Sequence, residues 1–549
     1  MKNRILRKML CLVLTAAMMV SVMAGCGQKE SGESTGKTSG SGETAKTQES
    51  SSGADETGKL TFPLEKKVTL TLWAGSLSQY LTNLVTDYND TDFFQELERR
   101  TNVHIEFDTI SSATTASEAF NLMISSGDLP DMIMGAGLYT AGMDAAVEDG
   151  YYLDLTPYLD TYLSNFNALR TADEDVLLDS ITDAGRVVRV QNISQTQQPL
   201  FMGLMIRKDW LDKDGLDIPK TLEDWEAVLT AFKENHGAYA PFALTPYYDM
   251  FLYGFNATTG FMVRDGKVIY SPTSENMKEA LTVYSDWYKK GLIDPDFMAR
   301  ETGYAGDTSM IVTGQSGVFN SYYTLMDYYY QSSTDPDMEL VAVNPPVCAS
   351  GEESRLAAPI PKLSGDGVAI STQCENPDIA MMWLDYLFSE EGALLANYGI
   401  EGDTFEYVDG KPQFTEKITN NPDGLSMNQA MSMYTCPPAV LAKSYSSERE
   451  LAGVSEESLA MCDVWSLVPS DYFYPFTAIM TSDENNEFAA MYSDISTYVT
   501  SEIASFISGE KDISTEWDEY VSTIEGLGIE RCVELKQNAY DRYLSRGTE

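Results

Sequence analysis

The folded part of the chain opens on alternation. Val68-Thr-Leu-Thr-Leu-Trp73 places apolar side chains at every second position, the period of a strand whose two faces meet different surroundings. A helical pattern follows over 92–101. Val103-His-Ile-Glu-Phe107 alternates again, with His104 on its polar face. A second helix is predicted over 115–126, leading to Asp131-Met-Ile-Met134 as a third strand. Strand, helix, strand, helix, strand predicts an α/β fold with a mostly parallel sheet covered on both sides.

Further along, the helical period is marked by its ends. Thr221-Leu-Glu-Asp224 has the form of a capping box, followed by the stripe Trp225, Val228, Leu229 and Phe232. Ser274 is placed to cap a helix carrying Met277, Ala280, Leu281, Tyr284, Trp287 and Tyr288 on one face, with Gly291 closing it. Asn376-Pro377 starts another, with Ile379, Met382, Trp383, Tyr386 and Leu387 inside. Aromatic residues at this spacing are read as core. Arg264-Asp-Gly-Lys267 predicts a tight hairpin.

The first sixty residues follow neither period. Lys2, Arg4, Arg7 and Lys8 precede an apolar run from Met9 to Met23, too short for a comfortable transmembrane helix. A basic start and a short apolar run ending in small residues form a secretory signal, expected over 1–25. Its end, Val22-Met-Ala-Gly-Cys26, resembles the bacterial lipobox, which makes Cys26 the expected site of lipid attachment; the alternative is a plain secreted protein with an incidental cysteine. Residues 26–60 are mostly Ser, Gly, Thr, Glu, Lys and Gln, too polar to offset the entropy of ordering, and predict a tether spanning about 30 Å. Gly32-Glu-Ser-Thr-Gly36 and Ser34-Thr-Gly-Lys37 match catalytic-serine patterns, but those patterns carry chemistry only within a folded site, so both are read as coincidence.

Composition narrows the function. The remaining body is large for one simple domain and predicts two lobes. A formal net charge of −46 argues against nucleic acid, since phosphate binding needs a basic face. Cys348, Cys374, Cys436, Cys462 and Cys532 show no C-x-x-C spacing; they are read mostly as buried thiols, with one unassigned disulfide left open. The two histidines, His104 and His236, are read as structural. No third histidine exists to build a histidine-rich metal site, and no metal or cofactor is expected.

Several stretches together resemble one family: Ser126-Gly-Asp-Leu-Pro-Asp131, Leu155-Thr-Pro-Tyr-Leu159, Ile206-Arg-Lys-Asp-Trp-Leu211, Trp287-Tyr-Lys-Lys-Gly-Leu-Ile-Asp-Pro295, Tyr398-Gly-Ile-Glu-Gly402, Tyr407-Val-Asp-Gly-Lys411 and Asn538-Ala-Tyr-Asp-Arg-Tyr543. In this order, behind a lipobox, they look like the lipoprotein-type extracellular solute-binding proteins of bacterial ABC importers, in the branch associated with oligosaccharides such as aldouronate or alginate fragments. The resemblance implies a two-lobed periplasmic-binding-protein-like fold of type II, with the ligand cleft between lobes. It implies residues 61–195 and 350–420 in lobe 1, and 196–349 and 421–549 in lobe 2. It further implies a lipid-anchored monomer on the outer face of the cell membrane that captures an oligosaccharide and delivers it to ABC permease subunits. Relatives often carry a calcium loop after the helix corresponding to 221–235. Here that place reads His236-Gly-Ala-Tyr-Ala-Pro-Phe242, without a carboxylate, so no calcium is expected there.

Ligands of open α/β sheets sit outside the carboxyl ends of strands. That rule selects Trp73 and Ser76 after the first strand and Tyr139 in the loop after Met134. Pro246-Tyr-Tyr-Asp249 interrupts a helical pattern where family carriers often place cleft aromatics, giving Tyr247, Tyr248 and Asp249. Gly314 to Tyr322 is read as a turn followed by a helix N-terminus, with Ser316, Asn320 and Tyr322 toward the ligand. Trp465 and Tyr472 lie in a late stretch read as loop. For each of these residues, core or ordinary surface is the competing reading. Arg207 and Arg264 could meet an acidic sugar, with salt bridges the commoner role in so acidic a chain. No local motif points to catalytic residues. The rival readings are a peptide carrier, a surface-anchored glycoside hydrolase, which would need two carboxylates across a sugar bond, and a surface sensor or adhesin.

Overall fold

The computed structural model describes residues 61–549, except 111–113, 246–248, 301–305, 349–350, 438–439, 453 and 547–549. The expected signal segment, Cys26 and the tether therefore lie outside the described residues. In chain order the strands are β1 (Val68–Gly75), β2 (Val103–Thr109), β3 (Met132–Met134), β4 (Arg189–Ser194), β5 (Met202–Arg207), β6 (Ala240–Ala243), β7 (Phe261–Arg264), β8 (Lys267–Tyr270), β9 (Ser316–Tyr322), β10 (Leu340–Val343), β11 (Leu363–Ile370), β12 (Phe405–Val408), β13 (Lys411–Phe414) and β14 (Ser444–Tyr445).

Two sheets organise them. The first has the order β14-β4-β11-β3-β1-β2 and the second β10-β5-β9-β6. In the first, β2, β1 and β3 are parallel, and β14 is parallel to β4. Only β11 runs against its neighbours. In the second, β6 and β9 are parallel, and β5 runs against both β9 and β10. The reversed strands have one cause: β5 leads into the second lobe and β11 leads back into the first, so each starts at the edge where the others finish. Each sheet has its own core. Leu72, Phe93, Leu97, Met132, Val190 and Trp383 fill the first. Ile206, Trp225, Phe232, Trp287, Val318 and Phe506 fill the second. Each such fully buried large side chain contributes about 1.5–3 kcal/mol by leaving water.

Local signals explain much of the rest. Thr221 accepts from the Asp224 amide while the Asp224 carboxylate accepts from the Thr221 amide, starting Leu222–His236, which Gly237 ends in the left-handed region. Ser274 caps Glu275–Lys289. Asp265 and Gly266, at φ 53° and 75°, make the tight turn between β7 and β8. His236 meets Asp214 at 3.0 Å and stacks on Trp210 at 4.5 Å. His104 meets Glu98 at 2.6 Å. The five described cysteines are buried.

Three readings differ from the structure. Gly314–Tyr322 is not a turn and helix: residues 316–322 form β9, with Ser316 to Ser321 all buried between layers. Trp465 ends a helix, Glu456–Trp465, rather than sitting in a loop. The expected limit at 420 falls short, because Cys436, Val440, Leu441 and Ala442 join the first core and β14 extends the first sheet.

Beyond Thr481, three helices, Ser482–Ser508, Ile513–Gly526 and Ile529–Ser545, pack on the second core through Ile503, Phe506, Tyr520 and Cys532. Their free ends clip onto the first lobe. Asp183 accepts from Arg542 Nε at 2.8 Å and from Arg546 Nη2 at 2.7 Å. The Thr477 hydroxyl donates to Asp179, whose carboxyl is pushed above its usual range by burial.

Candidate functional site

The carboxyl ends of both sheets face the segments that cross between lobes, and a hollow lies at each. The hollow on the first lobe, about 910 Å³, is lined by Trp73, Gly135, Leu138, Asn192, Asp366 and Leu441, among others. A widened strand builds it. Between Ser364 and Val368 the pairing of β11 with β4 slips, and Gly365-Asp366-Gly367 loops out of the ladder. Gly367 adopts φ 74°, and a Cβ there would lie 2.8 Å from the Val190 carbonyl oxygen, so the loop needs glycine twice over. Three donors pin it. Gly135 N–H donates to the Gly367 carbonyl at 3.0 Å, Gln191 Nε2 to the Gly365 carbonyl at 2.9 Å, and Arg189 Nη1 to the Asp366 carbonyl at 2.9 Å. Burial lowers the Arg189 pKa from its ordinary value. The Asp366 side chain is left exposed. Beside it, Asn192 Oδ1 accepts from the Lys443 amide at 3.1 Å, which fixes the amide and leaves Nδ2 as a donor at the hollow.

The second-lobe hollow, about 710 Å³, is lined by Phe201, Met250, Tyr253, Pro345, Leu356 and Trp465, with their neighbours. Trp465 is its keystone. The ring lies flat on β5, where a Cβ at Gly203 would come within 2.5 Å of it, and Nε1 donates to the Leu204 carbonyl at 3.0 Å. Phe201 is 44% exposed and stacks on Tyr322, with centroids 5.9 Å apart and planes 7° apart. The first hollow thus adds the hydrogen-bonding side chains Asn192 and Asp366 to an otherwise apolar lining, and the second offers apolar and aromatic surface.

The structure brings some of the sequence-selected residues here and leaves others elsewhere. Trp73 and Trp465 each line a hollow, but both are 3% exposed, so they form floor rather than a free stacking face. Tyr322 reaches the second hollow's rim through Phe201. Ser76 is exposed just past β1. Tyr139 is half-buried against Tyr151 and Tyr152 and donates to Asp149; burial, then Asp149, pushes its pKa up to about 12. Ser316 is fully buried and donates to the Val318 carbonyl, and Asn320 is 6% exposed within β9; neither lines a hollow. Tyr472 donates to Glu352 at 3.3 Å with Arg264 over its ring. Tyr247 and Tyr248 lie outside the described residues, as does the Asp249 side chain. Arg207 is fully buried and forked onto Asp209, and Arg264 pairs with Glu352, so both serve as structural ion-pair partners. Asn192, Asp366 and Phe201 were missed. The cue for the first two was Ser364-Gly-Asp-Gly-Val368, since glycines inside a strand mark a bulge or a close approach.

Two α/β lobes, with a hollow at the strand ends of each beside the crossing segments, define a cleft-type binding protein. Residues 74–394 match the family model described as bacterial extracellular solute-binding protein, and the chain belongs to that family. It is 25% identical over 530 residues to the fructooligosaccharide ABC transporter substrate-binding protein FusA of Streptococcus pneumoniae serotype 4, covering 88% of this chain and 92% of that one. It is 26% identical over 457 residues to the lipoprotein LipO of Bacillus subtilis, covering 79% and 80%. The crystal structure of an extracellular solute-binding protein from Bifidobacterium longum subsp. infantis shares the fold, with a TM-score of 0.70 at 17% identity over 89% of this chain and all of that one. Family and neighbours are binding proteins.

Proposed function

We propose that this chain is the solute carrier of an ABC importer: a monomer moored by lipid at Cys26 on the outer face of the cell membrane. It takes an oligosaccharide between its lobes, leaves it chemically unchanged, and presents it to membrane permease subunits. The observation that carries this reading is a hollow at the strand ends of each lobe beside the crossing segments, with the hydrogen-bonding side chains Asn192 and Asp366 at the first and aromatic surface at the second. A sugar ring has both characters, with hydroxyls around its edge and C–H surfaces above and below. FusA, named for fructooligosaccharides, resembles this chain over most of both lengths.

Each lobe touches the solute, so the solute favours whichever arrangement brings both faces to it. A shift from 1% to 99% closed needs about 5.5 kcal/mol of differential affinity. A thermal-shift screen against oligosaccharides, monosaccharides and peptides tests the class of ligand, because a ligand bound to the native state raises the apparent melting temperature. The expected result is stabilisation by an oligosaccharide recovered intact. Stabilisation by peptides alone, or recovery of shortened sugar, would replace this reading. Labelling of the expressed protein with a fatty acid, abolished by Cys26→Ala, tests the anchor.

A further inference from the structure

The charge at the gap sorts saccharides from one another. Among the described residues lining both hollows, Asp366 alone is charged at neutral pH. The cations around the hollows are engaged by the protein. Arg189 donates to the Asp366 carbonyl at 2.9 Å and Lys443 to the Val440 carbonyl at 3.2 Å. Arg355 pairs with Asp471 at 2.8 Å and Arg264 with Glu352 at 3.0 Å, while Lys362 pairs with Asp173. The undescribed positions between 61 and 549 contain no lysine or arginine. The first-lobe hollow therefore presents an acceptor, the Asp366 carboxylate, and a donor, Asn192 Nδ2, neither with a hydrogen-bond partner among the described residues. Among the described lining residues none carries a positive charge.

We infer that the cleft selects uncharged saccharides and rejects uronates, with Asp366 and Asn192 as the residues that read sugar hydroxyls. This rests on the saccharide-carrier reading. A hydroxyl gives its proton to Asp366 and receives one from Asn192 Nδ2. A carboxylate can do only the second, and it brings like charge to Asp366. Gly137 makes room for this: a Cβ there would lie 3.0 Å from both Asp366 Oδ1 and Arg189 Nη1. Arg189 is a positioning residue, since it holds the loop through the Asp366 carbonyl.

The test is calorimetric titration of the full chain with matched panels, neutral gluco-, galacto-, fructo- and xylo-oligosaccharides beside oligogalacturonates and oligoglucuronates of the same lengths. The tightest neutral probe should bind at least about tenfold more tightly than the tightest uronate, the smallest penalty expected for a like charge in contact. Its affinity should hold steady between 50 mM and 500 mM salt, because a neutral ligand has no charge to screen. In Asp366→Asn, affinity for the neutral probe should fall about tenfold or more, as for a lost hydrogen bond to a charged group, and the gap to the uronates should narrow. Asn192→Ala should weaken the neutral probe without narrowing that gap. Equal or tighter uronate binding, or salt-sensitive binding of the best probe, overturns the inference and leaves the carrier reading standing. An Asp366→Asn variant that binds both panels as before also overturns it. Binding of peptides and of no saccharide overturns the carrier reading instead.

Discussion

On the first lobe, the chain leaves its ladder to reach the gap: three residues between two ends of β11 carry an exposed carboxylate outward on a pinned loop. On the second lobe the described strands keep their register. The gap there is floored by a side chain that also belongs to a core, since Trp465 packs with Met205, Phe319 and Met461. On the proposed carrier reading, recognition and stability are thus separable on one side and fused on the other. A substitution on the bulge can alter what is bound with little change in folding, whereas one beneath the second hollow alters both.

That contrast sets an order of expected effects. Trp465→Ala should cost most, about 3–5 kcal/mol, through lost burial and the cavity it leaves; urea unfolding should show it as a lower midpoint, and a loss under 1 kcal/mol would mean that Trp465 is not core. Gly203→Ala follows at about 1–3 kcal/mol, because the new methyl strikes the same ring and the sheet must give way. Acid comes third. Burial alone would raise the Asp209 carboxyl in the second lobe, but the Arg207 guanidinium outweighs it and holds the pKa below the ordinary range. Asp173 in the first lobe is held low by Lys362. A depressed folded pKa contributes stability above the unfolded value near 4, and that contribution is lost as pH falls through the folded value. Unfolding measured from pH 6 to pH 2 should therefore show stability declining below about pH 4. Asp209→Asn should flatten that decline more than Asp173→Asn, since Asp209 is 7% exposed and Asp173 28%. Asp366→Asn is smallest, within about 0.5 kcal/mol, as expected for a solvated surface position.

The same contrast marks what could be read in advance. Elements whose cause is local were legible. The Thr221–Asp224 box, the Asp265-Gly266 turn and the alternation of β1 and β2 each carry their physics within a few residues. β9 was not legible. Its polar Ser316, Asn320 and Ser321 argue against burial, and only the sheet around it, with β5 on one side and β6 on the other, makes 316–322 a central strand. Trp73 and Tyr139 were placed near the gap by the strand-end rule, which supplies position but not exposure; packing against Phe120 turns Trp73 into floor. Asn192 and Asp366 escaped because neither residue type is distinctive alone. The information lay in the glycines on either side of Asp366.

The Asp183 clip has a mechanical consequence. The lobes are joined not only by the crossing segments but also by Arg542 and Arg546, two residues at the far end of the chain. Such a body has a second fastening away from its hinge strands. Any swing of one lobe must either turn about that fastening or tear it, so the last helical turn, remote in sequence from every strand, has a say in how far the jaws can part.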